Sequence, residues 1–110
     1  PITSAIPVIL FAREPKCELV KLADSSADCL SLFWSSNNVD LVKLKSKVSI
    51  QGNLNPAFLL ESRDIIKKET YKILDKYNNY PGYIFNLGHG ITPNIDPENI
   101  KYLTDLVRSY

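Results

Sequence analysis

Along the chain, short apolar runs alternate with amphipathic stretches. The first run, residues 7–12, is Pro7-Val8-Ile9-Leu10-Phe11-Ala12. Being apolar at successive positions, it predicts a strand buried on both faces, with Pro7 at its start. Over residues 16–24, Leu19, Val20, Leu22 and Ala23 alternate with Lys16, Glu18 and Lys21, which predicts a short helix ending near Asp24-Ser25-Ser26. Residues 29–34 (Cys29-Leu30-Ser31-Leu32-Phe33-Trp34) predict a second strand, followed by the cap-rich loop Ser35-Ser36-Asn37-Asn38. Residues 39–45 predict a second helix, and residues 48–51 a third strand that stops at Gly52-Asn53, with Pro56 in the loop beyond.

The third helix has the clearest signals. Ser62 is a suitable N-cap, and Asp64 places a carboxylate in the first turn, where the helix dipole favours it. Ile65, Ile66, Ile73, Leu74 and Tyr77 form its apolar stripe, and Asn78-Asn79-Tyr80-Pro81-Gly82 ends it. Residues 83–87 predict the fourth strand. Asp96-Pro97-Glu98 combines an N-cap acid, a proline at the first helical position and a second acid, and Ile100, Leu103, Val107 and Tyr110 follow at helical spacing.

Four strand–helix units without a hairpin imply a parallel sheet with right-handed crossovers. Two architectures satisfy this order. One is a small open sheet with helices on both faces. The other is half of a (β/α)8 barrel, which needs about 250 residues in all. A half-barrel alone leaves two sheet edges unpaired, so it is expected to behave poorly in isolation.

Composition narrows the function. The chain has 110 residues, 45% of them hydrophobic and 23% charged, with a net charge of +1. Near-neutral charge gives no electrostatic footprint for nucleic acid. No apolar run approaches the roughly 18–20 residues of a membrane helix, and there is no secretory signal. Cys17 and Cys29 are too few for a disulfide scaffold or a four-ligand zinc site and read as reduced, mostly buried thiols of a cytoplasmic-type protein. The chain starts at Pro1 and contains no methionine, which suggests a fragment of something longer.

In either architecture the polar strand tips share one side of the sheet. They are Arg13-Glu14, Ser35-Ser36, Gln51-Gly52-Asn53 and Asn86-Leu87-Gly88-His89-Gly90. His89 is the only histidine, and it stands between two glycines. There it could donate a hydrogen bond, shuttle a proton or bind a metal. Gly88 and Gly90 lack both the GxGxxG spacing and the Walker lysine of phosphate loops. Neither cysteine has metal-ligand spacing to His89. Trp34 suits packing or a pocket wall, and Arg13 a carboxylate. These residues describe a ligand-facing rim and name no reaction.

Two motifs go further. Gln51-Gly52-Asn53-Leu54-Asn55-Pro56 resembles the QGNLDP segment of the uroporphyrinogen decarboxylase family. Asn86-Leu87-Gly88-His89-Gly90-Ile91, with Pro93 and Asp96-Pro97-Glu98-Asn99-Ile100, resembles that family's carboxyl-terminal NLGHGI…P…PENV signature. Pro7-Val8-Ile9-Leu10-Phe11-Ala12-Arg13 resembles its VPVIxFAK strand. The resemblance covers nearly the whole chain but only the carboxyl-terminal third or so of a family member.

The resemblance implies an α/β fold: residues 1–110 as one partial domain, the C-terminal four βα units of a (β/α)8 TIM barrel with parallel strands. It also implies a homodimeric, cytoplasmic or plastid-type enzyme without metal or organic cofactor. Such an enzyme removes CO2 from the four acetate side chains of uroporphyrinogen III, giving coproporphyrinogen III in haem and chlorophyll synthesis. The partners implied are the porphyrinogen substrate and the rest of the barrel; nucleic acid and membrane are not among them. His89 matches the family's active-site histidine, with Gly88 and Gly90 beside it at the substrate. Gln51, Gly52, Asn53 and Asn86 match structural or pocket-lining positions. Related barrel methyltransferases, with a zinc site for thiol activation, tend to show a cysteine where this chain has His89. A non-enzymatic α/β module binding a small anion at the same rim is the other alternative. Three departures stand out: Phe33 before Trp34 and Asn55 before Pro56, where the family usually has aspartates, and Arg13-Glu14-Pro15-Lys16 in place of glycines.

Overall fold

A computed structural model describes residues 6–12, 19–36, 41–44 and 47–110. Its elements are β1 (Ile9–Phe11), α1 (Leu19–Ala23), β2 (Cys29–Ser31), α2 (Leu41–Leu44), β3 (Ser49–Gln51), a 3-10 turn (Pro56–Leu60), α3 (Arg63–Lys76), β4 (Tyr83–Ile84) and α4 (Pro97–Ser109). The alternation expected from the apolar pattern is therefore present. The predicted residues at 13–18, 37–40 and 45–46 lie outside the described residues.

The two long helices begin where their capping chemistry places them. Ser62 Oγ accepts from Ile65 N at 3.4 Å, and Asp96 Oδ1 accepts from Glu98 N at 2.9 Å. Each satisfies a backbone donor that has no partner inside the helix. The apolar stripe of α3 needs one correction: Ile65 is exposed, and Thr70 is buried in its place. Pro56, expected in a loop, instead opens the 3-10 turn, where Asn55 Oδ1 accepts from Ala57 N at 3.0 Å.

The sheet runs β1-β2-β3-β4 in sequence order, with every pair parallel. Without a reversal of strand order, right-handed crossovers put every helix on the same face. This overturns the open sheet with helices on both faces, which requires a switch in strand order. Sequential parallel strands clad on one side form an arc of barrel wall.

The register shows which residues face which layer. Leu10 pairs with Leu30, Leu30 with Ile50, and Ile50 with Tyr83. This row packs against Ala23 of α1, Leu44 of α2 and Tyr77 following α3. A second core, built around Leu54, Leu59, Ile66, Ile95, Leu103 and Leu106, joins the 3-10 turn to α3 and α4. Asn99 Nδ2 donates to Leu59 O at 2.9 Å and ties the start of α4 to that turn.

The alternate row, Phe11, Ser31, Gln51 and Ile84, points to the opposite face. There Ile9 is 51% exposed, Phe11 44% and Ile84 46%. The expectation that the first strand is buried on both sides is thus corrected for this chain. Its apolar side chains are present on both faces, but helices cover only one. Among the described strand residues of the open face, only Cys29 is deeply buried, between its register partners Ile9 and Ser49, and burial pushes its thiol pKa up.

Candidate functional site

The strand tips continue the sheet beyond the regular strands. Leu32 N donates to Gln51 O at 2.8 Å and Gly52 N to Ile84 O at 3.0 Å. Leu54 forms a parallel bridge with Leu87, Leu54 N donates to Asn86 O, and Gly88 N donates to Leu54 O at 2.7 Å. The segments Gln51–Pro56 and Asn86–Ile91, distant in sequence, are therefore hydrogen-bonded neighbours.

Two glycines are required by this geometry. Gly52 has φ +123°, and a Cβ there would meet Leu32 O at 3.0 Å. A Cβ on Gly88 would stand 2.3 Å from Trp34 N, well inside contact distance. Gly88 thus admits the backbone of the β2 tip. Gly90 differs: a Cβ there would meet nothing within 4 Å, and the residue borders an open groove.

His89 is partly exposed and lines two grooves. The first, about 400 Å³, lies at the carboxyl end of the open sheet face, between Phe11, Ser31, Asn86 and Ile91. The second, about 460 Å³, is bordered by Phe33, Trp34, Asn55, Leu60 and Asn94. The imidazole stacks on Phe33 with centroids 5.8 Å apart and planes 27° apart. His89 Nδ1 lies 2.7 Å from Gly90 O. A carbonyl oxygen only accepts, so this hydrogen bond needs the proton on Nδ1. The neutral ring then keeps a lone pair at Nε2, and the imidazolium presents a donor there.

The other candidate residues divide into two groups. Asn86 lines the first groove, while its Oδ1 accepts from Leu87 N at 2.8 Å. Gln51, Gly52, Asn53 and Gly88 line neither groove. Gln51 Nε2 donates to Ser31 Oγ at 3.0 Å across the open face. Asn53 is 3% exposed, and its Nδ2 donates to Phe33 O at 3.0 Å and Ser36 O at 3.4 Å. Arg13 and Glu14 lie outside the described residues. Trp34 is exposed, tilted against Phe33, and borders the second groove.

Sequence reasoning missed Ser31 and Tyr83 as parts of this rim, and noted Phe33 only as a departure from the family pattern. Tyr83 donates its hydroxyl to Gly52 O and stacks on Tyr77 at 4.7 Å. Burial, then the neighbouring Tyr77, raises its pKa. Period-two alternation would have put Ser31 and Gln51 on one side, but only the register makes them neighbours. Among the described residues, no group of three or more His, Cys, Asp or Glu side chains is placed to hold a metal ion.

Comparison with known proteins decides what this rim belongs to. A family model described as uroporphyrinogen decarboxylase (URO-D) matches residues 2–110. The chain belongs to the uroporphyrinogen decarboxylase family. It is 40% identical over 109 residues to the uroporphyrinogen decarboxylase of Vesicomyosocius okutanii, covering 96% of this chain and 31% of that protein. It is 43% identical over 103 residues to that of Alcanivorax borkumensis, covering 93% and 29%. With that of Chloroherpeton thalassium it shares 41% over 110 residues, covering 94% and 30%. The chain thus spans about a third of the length of these relatives.

Within the uroporphyrinogen decarboxylase family, the resemblance rested on two motifs, and the structure joins them edge to edge. It also accounts for one departure. Asn55 caps the 3-10 turn through its side-chain oxygen, as an aspartate would, since the two residue types cap comparably. The other described departure, Phe33, puts an aromatic ring against His89 where an acid was expected.

Proposed function

We propose that this chain is the carboxyl-terminal four βα units, a single partial domain, of a cytoplasmic, homodimeric uroporphyrinogen decarboxylase. The complete enzyme removes CO2 from the four acetate side chains of uroporphyrinogen III without a cofactor, giving coproporphyrinogen III. One observation carries the reading: His89, in the family motif, stands where the open sheet face meets the strand tips. In a barrel that face is interior, and its carboxyl end is the mouth where ligands are met. The remainder of the barrel supplies the other walls of the cleft, so the segment alone is inactive. Among the described residues, no helix is long and apolar enough to cross a membrane.

The chemistry of His89 follows from its hydrogen bond to Gly90 O. With Nδ1 committed, Nε2 is the atom available to substrate. As imidazolium it donates a charge-assisted hydrogen bond to an acetate or propionate carboxylate. As neutral imidazole it accepts from a pyrrole N–H. Gly90 leaves the approach clear, Gly88 seats the histidine's strand against the β2 tip, and Asn86 contributes an amide to the groove wall. Gln51, Gly52 and Asn53 hold the tips in register.

The test is a graft in which these residues replace the matching carboxyl-terminal segment of the Alcanivorax borkumensis relative. The chimera should decarboxylate uroporphyrinogen. His89→Ala in it should lower kcat/KM by about ten- to a hundredfold, the worth of one charge-assisted hydrogen bond. An active chimera unaffected by His89→Ala would refute the role of His89, and an inactive but folded chimera would refute the larger reading.

A further inference from the structure

We propose that Asn53 is a positioning residue for His89, acting through the turn at residues 33–36. The inference rests on the reading that His89 meets the substrate.

Ser36 N donates to Phe33 O at 3.0 Å and closes the turn that follows β2. Asn53, from the tip of β3, donates to Phe33 O and Ser36 O and so spans the turn. Its side-chain oxygen is buried and has no hydrogen-bond partner among the described residues. A buried acceptor left in this state has lost its hydration without compensation. The amide is therefore oriented by its two donors, at the expense of its acceptor. An apolar side chain of similar size would avoid that cost but could not hold two carbonyls.

The turn bears on His89 from two directions. The Phe33 ring, 2% exposed, lies under the imidazole. Gly88, the neighbour of His89 in the chain, abuts the backbone of Trp34, with its virtual Cβ 2.6 Å from Trp34 Cα. A displacement of the turn therefore moves both the surface on which the imidazole rests and the backbone that carries it. Asn53 is held in the β3 tip and touches neither groove, and its side-chain amide meets the site through this turn.

The experiment is a double-mutant cycle in the grafted full-length enzyme. Asn53→Ala and Asn53→Asp remove both donors, and Phe33→Leu removes the ring while leaving the clamp. Each is made with His89 intact and in the His89→Ala background. Expected with His89 intact is a loss in kcat/KM of about tenfold or more, the scale of a misplaced catalytic-site group. Expected in the His89→Ala background is less than about twofold, because coupled residues are non-additive. The imidazole NMR signal, assigned by its absence in His89→Ala, should shift in each variant.

Equal losses in the two backgrounds would overturn the proposal, as would an unmoved imidazole signal. If His89→Ala itself leaves activity intact, the reading of the site fails, and the imidazole signal alone decides whether Asn53 positions the ring. If Asn53→Ala and Asn53→Asp do not fold, Asn53→Gln, which keeps the amide but moves it by one methylene, decides it on the same two readouts.

Discussion

The two faces of the sheet are built from neighbouring residues of the same strands, yet they differ in nearly every respect. On one face Leu30, Ile50 and Tyr83 lie in a continuous row beneath helices, and Ile50 is fully buried. Here two tyrosine hydroxyls are anchored: Tyr80 donates to Val48 O at 2.6 Å, and Tyr83 to Gly52 O. On the other face Ile9, Phe11 and Ile84 are about half exposed beside Ser31 and Gln51. Phe11 and Ile84 stand at opposite ends of one row, with Ser31 and Gln51 between them, so apolar side chains are left uncovered at both edges of this face. The difference is that helices cover one layer of the arc while the other stays open, as the proposed remainder of a barrel would require.

The largest effect should come from the finished face. Ile50→Ala should destabilise the grafted enzyme by about 2–5 kcal/mol, the range for truncating a fully buried aliphatic side chain. Denaturant unfolding measures it, and a loss under 1 kcal/mol would mean that this core is not closed in the way described.

The open face should respond according to context. The 110-residue chain by itself should self-associate, as seen by sedimentation. Substituting Ile9, Phe11 and Ile84 together by serine should reduce that association. In the grafted enzyme the same three changes should destabilise, by about 1–3 kcal/mol for each side chain that becomes buried. A well-behaved monomer with cooperative unfolding would break the comparison, since the open face would then need no cover.

The smallest effect is a pH dependence carried by tyrosines of the covered face. Burial, followed by Tyr80, pushes Tyr77 up to about 12, and burial, followed by Cys29, does the same for Tyr80, from an ordinary value of 10.0. The folded state therefore holds these protons more tightly than the unfolded chain. Their contribution to stability is complete below pH 10 and is lost as pH rises through about 12. Tyr80→Phe cannot ionise and should flatten part of that alkaline slope, as read from unfolding midpoints at pH 9 and pH 11. An unchanged slope would place the Tyr80 hydroxyl in water.

Much of this was legible in the residues. Ser62 and Asp96 announced their helices because a cap is a local event: a side-chain oxygen meets a backbone donor two or three residues away. The alternation of apolar runs with amphipathic stretches gave the order of elements for the same reason. His89 drew attention through its two glycines, and the two motifs led to the family that the comparison then showed. Other readings failed where the physics was not local. The run at 7–12 looked doubly buried because apolarity records what a residue tolerates, whereas burial depends on which partner is present. Thr70 replaced Ile65 inside α3, and Pro56 began a 3-10 turn instead of a loop.

By itself, then, the sequence determined the parallel α/β class, the helix starts and the histidine-bearing tip, all of which follow from short-range chemistry. The tertiary structure alone decided that the strands lie in unbroken order and that helices clad a single face. It alone put Phe33 under His89, turned the Asn53 amide onto the β2 tip, and made Gly88 a seat for Trp34. Those contacts join residues far apart in the chain, and their geometry is set by which strands pair and in what register, which depends on packing of the whole buried face.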